Sequence, residues 1–224
     1  MTKFLDKISI GIDTQNDLML DIKDNSIDVG LANEDFYFVH GSFDTKLPDM
    51  QIPISKFINF KKAVSTYDGS IVLKLEKNVL YLKGKNIKSI PLCKWNDYST
   101  RIIKKIRSIT DGFTPVSLKK SEYVILTQDK EMFDRTPTEI FFTQSDKKLV
   151  IEVKDETGFG SETSIKDVDL LDGKYIMPTI VFDILKKTDN LDIGFIMEGE
   201  IPLMYLRDTA NNYVVEYIVV GMVE

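Results

Sequence analysis

The stretch EGEIPLMYLRDTANNYVVEY, residues 198–217, decides how the end of this chain folds. Two apolar runs of strand-forming residues, 201–206 and 213–220, lie on either side of polar turn residues. This pattern predicts two antiparallel strands joined by a short turn. Pro202 stands near the start of the first run, and because proline cannot donate to a sheet ladder it belongs at a strand start or an edge. The stretch carries no catalytic group, so it predicts a surface that faces a partner.

Short apolar runs separated by turn residues dominate the rest of the chain. They predict further strands over residues 17–22, 26–31, 35–43, 71–76, 79–82, 87–93, 139–143, 148–153 and 193–197. Helical spacing is scarce and short. It predicts one helix around Phe4 and Ile8, one from Ile54 to Val64 behind Pro53, and one that opens at Pro178. The predicted fold class is α+β with antiparallel sheets.

These elements recur at an offset of about 125 residues. Lys61-Lys62 followed by a turn and two paired strands returns as Lys186-Lys187 followed by the same elements, and the segment from residue 5 to 29 has a counterpart from residue 128 to 153. A single offset for helices and strands favours a duplicated architecture. We predict domain one over residues 1–95, a connector over 96–120 and domain two over 121–224. The alternative is that short strands match by chance.

Composition and motifs exclude several function classes. No apolar run approaches the roughly 18 residues that cross a membrane, and residues 1–7 do not form a signal peptide. The single cysteine, Cys93, excludes an internal disulfide, and the single histidine, His40, is interpreted as structural. No phosphate-loop, zinc, calcium-loop or serine-hydrolase signature is present. We therefore expect no enzyme, no metal, no cofactor and no membrane contact, and a cytoplasmic protein.

The charge of the predicted helices differs from that of the chain, whose formal net charge is −6. Three of the four helical segments are net positive, and the fourth, 127–135, is acidic. Helical geometry places Lys3, Asn59, Lys62 and Lys187 opposite the apolar stripes, where they could meet a phosphate backbone, whereas Lys61 falls nearer the apolar side. An ordinary solvated helix face is the alternative interpretation.

The chain resembles the ring-shaped DNA sliding clamps, the polymerase processivity factors. The segment EGEIPLMYLRDTANNYVVEY resembles the terminal hairpin of eukaryotic and archaeal clamps, and ANNYVVEY also resembles the end of tailed-phage clamps, which fit best in length. The segment MQIPISKFINFKKAVSTYDGSIVLKLEKNVLYLKGKNI looks like the second helix and following strands of domain one in both groups. Two features depart from the family: the strand before the first helix is missing or very short, and the 127–135 helix is acidic.

The resemblance implies two similar domains, each with antiparallel sheets outside and two short helices inside, and a ring of three copies. It implies sequence-independent binding of double-stranded DNA, a pocket for a C-terminal peptide of the polymerase, and an ATP-dependent clamp loader, in the host cytoplasm if the protein is viral. A β-rich viral structural or assembly protein is the alternative.

Site residues follow from the resemblance and from helical position. The predicted DNA-facing residues are Lys3, Lys7, Lys56, Asn59, Lys62, Lys130, Arg135, Lys186 and Lys187. The predicted pocket for the partner peptide is formed by Leu31, Phe36, Pro202, Tyr217 and Met222. The predicted subunit interface lies at the edge strands 87–94 and 161–166, with Ile87, Ile90, Leu92, Ser161 and Ile165.

The segment STRIIKKIRSIT, residues 99–110, has a helical stripe of isoleucines with four basic residues away from it. It predicts a helix with Ser99 as its N-cap, in the place where clamps have an extended connector. It is either a helical connector or the first helix of domain two. Its basic residues make it an additional DNA-facing element or, as we favour, a surface helix.

Overall fold

The computed structural model describes residues 1–33, 37–123, 139–154, 160–188 and 191–223. In these ranges the helices are α1 (Thr2–Ile8), α2 (Phe57–Ser65), α3 (Tyr98–Thr110) and α4 (Ile180–Lys187), and residues 120–123 are also helical. The strands are β1 (Leu18–Lys23), β2 (Ser26–Asn33), β3 (Tyr37–Asp44), β4 (Met50–Ile54), β5 (Val72–Glu76), β6 (Val79–Lys83), β7 (Ile87–Pro91), β8 (Val116–Leu118), β9 (Glu139–Ser145), β10 (Lys148–Lys154), β11 (Gly160–Lys166), β12 (Gly173–Pro178), β13 (Leu191–Glu198), β14 (Ile201–Ala210), β15 (Tyr213–Val220) and β16 (Met222–Val223). No helix within these ranges has both the length and the apolar character needed to span a bilayer.

Three antiparallel sheets organise the strands. An eight-stranded sheet has the order β4-β1-β2-β3-β15-β14-β13-β8, a five-stranded sheet has the order β11-β10-β9-β12-β16, and a three-stranded sheet has the order β5-β6-β7. The eight-stranded sheet joins the two halves of the chain, because β3 pairs with β15 over seven residue pairs from Tyr37↔Val219 to Tyr213↔Phe43. The prediction of an α+β fold with antiparallel sheets and few short helices is confirmed.

Helices cover both faces of the eight-stranded sheet. A Cβ atom at Gly41 would lie 2.5 Å from Ile8 of α1, and one at Gly30 would lie 2.3 Å from the Ser99 carbonyl oxygen of α3. Gly30 pairs with His40, so these two residues share a face, and the next residue of β3, Gly41, faces the other way. Helices α1 and α3 therefore lie on opposite faces of the sheet. We call the face that carries α1 the inner face and the face that carries α3 the outer face.

The second predicted helix begins later than its apolar spacing indicated. Ile54 ends strand β4, and α2 starts at Phe57. Pro53 lies in β4, which is an edge strand, so its missing N–H costs no ladder bond. Strands β4, β8, β12 and β16 were not predicted. The predicted helix over 127–135 lies outside the described residues.

The prediction of a helix over residues 99–110 is confirmed by α3, but the prediction of its cap is wrong. The N-cap residue is Asp97, whose side chain makes no capping hydrogen bond, while the Tyr98 N–H donates to Asn96 Oδ1 at 2.9 Å. The Ser99 hydroxyl instead accepts a hydrogen bond of 2.7 Å from the backbone N–H of Gly30 in β2. Ser99 therefore fastens α3 to the outer face of the sheet.

Candidate nucleic-acid interface

Helices α2, α1 and α4 are neighbours in a row that begins and ends in different halves of the chain. Between α2 and α1, the Lys61 ammonium pairs with Asp6 at 3.0 Å and donates to the Ser9 hydroxyl at 2.7 Å. Between α1 and α4, the Lys7 ammonium donates to the backbone carbonyl of Lys187. The three helices therefore form one layer on the inner side of the sheets.

The surface of this layer that faces away from the sheets is basic. Each helix buries one apolar stripe, for instance Phe57, Phe60 and Val64 on α2. The predicted DNA-facing residues that are exposed on this layer or at its α2 end are Lys3, Lys56, Asn59, Lys62, Lys186 and Lys187. The structure thus brings together six of the nine predicted residues. Lys130 and Arg135 lie outside the described residues.

Lys7 is buried and is not on the exposed surface of the layer, so its prediction as a DNA-facing residue is wrong. Its side chain is 5% exposed, and its ammonium lies against the carboxylate of Asp208 in β14, which is fully buried. The ammonium also reaches the Lys187 carbonyl at the last turn of α4, where backbone carbonyls lack helical partners. Helical position alone could not show that this lysine points into the junction between the halves.

Helix α3 presents a second basic surface, on the outer face. Its buried side is formed by Ile102, Ile103 and Ile106, while Arg101, Lys104, Lys105 and Arg107 are exposed. Ile102 and Ile106 pack on an apolar patch of Phe38, Leu203, Tyr205 and Ile218, which belongs to both halves of the chain. We therefore assign α3 as a surface helix that bridges the halves and not as part of the α2-α1-α4 layer.

A polar network beneath the outer face also joins the halves. His40 in β3 lies between two carboxylates, with Nδ1 2.8 Å from Glu216 and Nε2 3.1 Å from Asp28. The Tyr205 hydroxyl donates to the other oxygen of Glu216 at 2.6 Å. The interpretation of His40 as structural is consistent with this position. Outward-facing polar residues at alternate positions of apolar strands are the sequence signal that could have indicated the network.

Contacts within the network shift the pKa of His40 and of both carboxylates in the folded protein. Burial disfavours protonation of His40, but hydrogen bonds to Asp28 and Glu216 outweigh it and raise its pKa above the ordinary value. Burial works against the charge of the two carboxylates, yet hydrogen bonds to His40 outweigh it and lower the pKa of each. The stabilisation from His40 is complete below about pH 6.5 and is lost as the pH rises through its raised pKa, whereas that from the carboxylates is lost at acid pH.

We expect the imidazole of His40 to titrate above pH 6.5, and its titration midpoint to fall in Glu216→Gln because a charged acceptor is lost. The protein has one histidine, so a single imidazole NMR signal reports it. Glu200→Gln, which changes an exposed carboxylate in the β13–β14 turn, is the matched control and should leave the midpoint unchanged. A wild-type midpoint at or below 6.5 would contradict the network.

Comparison with solved structures identifies the fold. A DNA polymerase sliding clamp from Pseudomonas aeruginosa matches with a TM-score of 0.72 and 13% identity, over 99% of this chain and 63% of that one. The DNA polymerase III beta chain from Streptococcus pneumoniae matches with a TM-score of 0.72 and 14% identity, over 100% of this chain and 63% of that one. The DNA polymerase III beta subunit from Thermotoga maritima matches with a TM-score of 0.67 and 12% identity, over 99% of this chain and 62% of that one. The chain has the sliding-clamp fold. It spans less than two thirds of the length of these neighbours.

Sequence comparisons give no match: no family model fits the chain, and a search of curated proteins found no relative. The recognition of the clamp fold from residues 198–217 and the segment that begins at Met50 is nevertheless confirmed by the structural matches. Among the described residues of this clamp fold, no group of three or more His, Cys, Asp or Glu side chains could hold a metal ion.

The predicted peptide pocket of the clamp fold is not assembled as expected. Tyr217 is fully buried on the inner face, where its ring stacks on Tyr37 at 6.3 Å and its hydroxyl donates to the Lys7 carbonyl at 3.4 Å, so it cannot line an open pocket. Leu31 is 5% exposed and borders a cavity of about 330 Å³ beside α3. Pro202 is buried at the start of β14, and Phe36 lies outside the described residues. Met222, 56% exposed in β16, is the accessible member.

The strands predicted to form the subunit interface lie at sheet edges of the clamp fold. Strand β7 is an edge of the three-stranded sheet, and β11 is an edge of the five-stranded sheet. Ile87 is exposed, while Ile90 and Ile165 are buried in the core beneath their strands. Leu92 and Ser161 are partly exposed. The backbone edges rather than the buried side chains are therefore available for pairing.

Proposed function

We propose that the protein is a DNA sliding clamp, a non-enzymatic processivity factor that encircles duplex DNA and tethers a polymerase. The observation that carries the proposal is the α2-α1-α4 layer, which directs lysines from both halves of the chain to one side. Lysines contact phosphates without reading bases, so such a surface holds DNA weakly and permits sliding. The likeness in fold to solved sliding clamps supports this proposal.

We infer that the ring closes by repeating a contact that already exists within one chain. Strand β3, the third strand after α1, pairs with β15, the third strand after α4. Two strands hold the same position in the remaining helix–strand groups: β11 is the third described strand after the 120–123 helical segment, and β7 is the third strand after α2. Among the described residues no strand pairs along the outer edge of either one, and β7 meets the end of β4 only at its own end, where the Ser55 N–H donates to the Pro91 carbonyl at 3.1 Å. Pairing of β7 with β11 of a neighbouring copy removes both open edges.

Three copies of a two-domain chain then give a closed homotrimer, with domains near 1–95 and 121–224 and a connector over 96–120 that contains α3. Its mass in solution is expected to be about three times the 25.6 kDa of one chain. The polymerase peptide and an ATP-dependent clamp loader are the proposed partners, with the exposed Met222 as the proposed peptide contact. Its neighbour Gly221 donates its N–H to the carbonyl of the buried Pro202 at 2.9 Å, which holds this segment against the start of β14.

Reversing the charge of two lysines on the helix layer tests the DNA-facing surface. We expect the double variant Lys62→Glu, Lys187→Glu to weaken DNA binding at low salt by at least tenfold and to reduce the salt dependence of binding, because phosphate contacts are lost. Both side chains are exposed, so the free energy of unfolding should change by no more than about 0.5 kcal/mol per site. Fluorescence anisotropy with labelled duplex DNA over a salt series measures the effect.

The matched control is Arg101→Glu, Lys104→Glu, which makes the same change of net charge on the exposed side of α3. It should retain most of the wild-type affinity, because α3 lies on the outer face. An equal loss of DNA affinity in the two double variants would mean that binding depends on net charge and not on the helix layer. An unchanged DNA affinity in the Lys62→Glu, Lys187→Glu variant would remove the basis of the proposal.

A further inference from the structure

Three paired strands follow α2 and three follow α4, but only the group after α4 has a further strand at its edge. After α4, strands β13, β14 and β15 follow in order, and β8 pairs antiparallel with the outer edge of β13. After α2, strands β5, β6 and β7 follow in the same order. In the part of the chain that the structure describes, no strand pairs with the outer edge of β5. The three-stranded sheet therefore has an open strand position.

The position can be located residue by residue. Strand β8 pairs with residues 191–193, which begin four residues beyond the end of α4 and seven before Glu198 at the hairpin turn. Residues 69–71 begin four residues beyond the end of α2 and seven before Glu76 at its hairpin turn. The two counts agree. Residues 69–71 are thus the edge that would receive a strand, yet β5 begins only at Val72.

A groove lies along this edge. It consists of two adjoining cavities of about 390 and 340 Å³ that share Met1, Val64, Gly69 and Ile71 as lining residues. The larger cavity is also lined by Phe43, Leu47, Phe60 and Leu73. Phe60 and Val64 are buried and form the floor, while Val72 beside the groove is 63% exposed. An apolar floor next to unpaired strand backbone suits an extended peptide with apolar side chains.

The filled position in the other half shows what fits. In β8, Leu118 is buried and Ser117 faces outward, where its hydroxyl donates to Asp192. Alternation of apolar and polar residues is therefore accepted by this kind of site. The open groove differs in charge, since Lys46 lines its larger cavity and Lys3 its smaller one. A segment with acidic residues beside its apolar ones would complement these lysines.

We propose that the outer edge of residues 69–76 is a docking site for an extended segment of a partner protein. The segment adds antiparallel to β5, places aliphatic side chains in the groove and sets carboxylates near Lys3 and Lys46. Binding extends β5 toward Gly69, so that its length approaches that of β13. This site borders the helix layer, with which it shares Lys3, and it is separate from the β7–β11 contact. Peptide binding there is measured without DNA, so its outcome is distinguishable from that of the DNA-binding test.

A labelled hexapeptide, Asp-Asp-Val-Ser-Leu-Asp, tests the site on the intact protein. We expect saturable binding by fluorescence anisotropy, with NMR shift changes confined to residues 69–76 and the lining of the groove. The same peptide with N-methyl groups on its Val, Ser and Leu residues cannot pair with a strand edge and should bind at least tenfold more weakly. This comparison leaves the protein unaltered, so it does not depend on the folding of a variant.

Two protein variants complete the test. Leu73→Lys places a charge in the groove and should weaken binding at least tenfold, whereas Ile201→Lys, at an exposed apolar strand residue elsewhere, should not. No binding at millimolar peptide, shift changes away from the groove, or equal affinity for the N-methylated peptide would overturn the proposal. Self-association of the free protein that Leu73→Lys abolishes would also overturn it, because a second copy would then be the occupant.

Discussion

Lys7→Met is expected to lower the free energy of unfolding by about 3–5 kcal/mol, the largest stability effect that we predict for a single side chain. The Lys7 ammonium lies against the buried carboxylate of Asp208 and donates to the Lys187 carbonyl. Methionine has a similar length and fills the same space, so the change removes charge and hydrogen bonding with little change in packing. A carboxylate that is 0% exposed then loses its adjacent cation. Urea unfolding followed by circular dichroism measures the loss.

Two variants distinguish this explanation from general damage to α1. Lys3→Met alters an exposed lysine on the same helix and should change the free energy of unfolding by no more than about 0.5 kcal/mol. The double variant Lys7→Met, Asp208→Leu removes both charges and should recover most of the stability, because a buried pair is often replaceable by apolar side chains. A loss of less than about 1 kcal/mol in Lys7→Met would show that the pair does not hold the halves together.

Ser89→Pro is expected to convert the proposed ring into single chains. Leu92 donates its N–H to the Asn78 carbonyl at 2.9 Å, so Ile90 and Lys88, at alternate positions, also turn their N–H groups toward β6. The N–H of Ser89 therefore points to the open edge of β7. Proline at this position removes an outward donor and places its ring where an incoming strand would lie, while the β6–β7 ladder keeps its bonds.

The expected cost is on the order of 3 kcal/mol per contact, which weakens association about 150-fold. Light scattering over a concentration series measures it, and Ser89→Ala is the control that should remain assembled. Proline at Ile90, which its place in an edge strand first suggests, is a poorer test because it breaks a bond inside the sheet. An assembled Ser89→Pro protein with unchanged dissociation would place the subunit contact elsewhere.

Local patterning predicted the strands well because their apolar runs are bounded by turn residues. Strands β14 and β15 illustrate this, since their starts at Ile201 and Tyr213 coincide with the predicted ones. Strand β4 was missed because Pro53 and Ser55 imitate a helix start, while the pairing of β4 with β1 is a non-local contact that sequence spacing does not contain. Strand β8 was missed because its three residues are too few to show a period.

The sequence predicted the exposure of a site residue only where the spacing within a single helix determines that exposure. Asn59 and Lys62 lie opposite the apolar stripe of α2, and their exposure follows from helical spacing alone. The burial of Lys7 depends on Lys187 in α4, 180 residues away, and on Asp208 in β14, which is farther still, so it could not be seen from the sequence of α1. The prediction of Tyr217 as a pocket residue failed for the same reason. The pairing register of β15 with β3 sets which face of β15 lies under α1, and local sequence does not contain that register.

Retention on closed duplex DNA tests the central claim most directly. The protein is assembled from dilute solution around a nicked circular duplex, and the mixture is passed through a sizing column at high salt, where phosphate contacts are weak. We expect the protein to travel with the circle and to be released when one restriction cut makes the same DNA linear. Equal retention of the protein on circular and linear DNA would contradict encirclement. Loss of the protein from both DNA forms at high salt would contradict it as well.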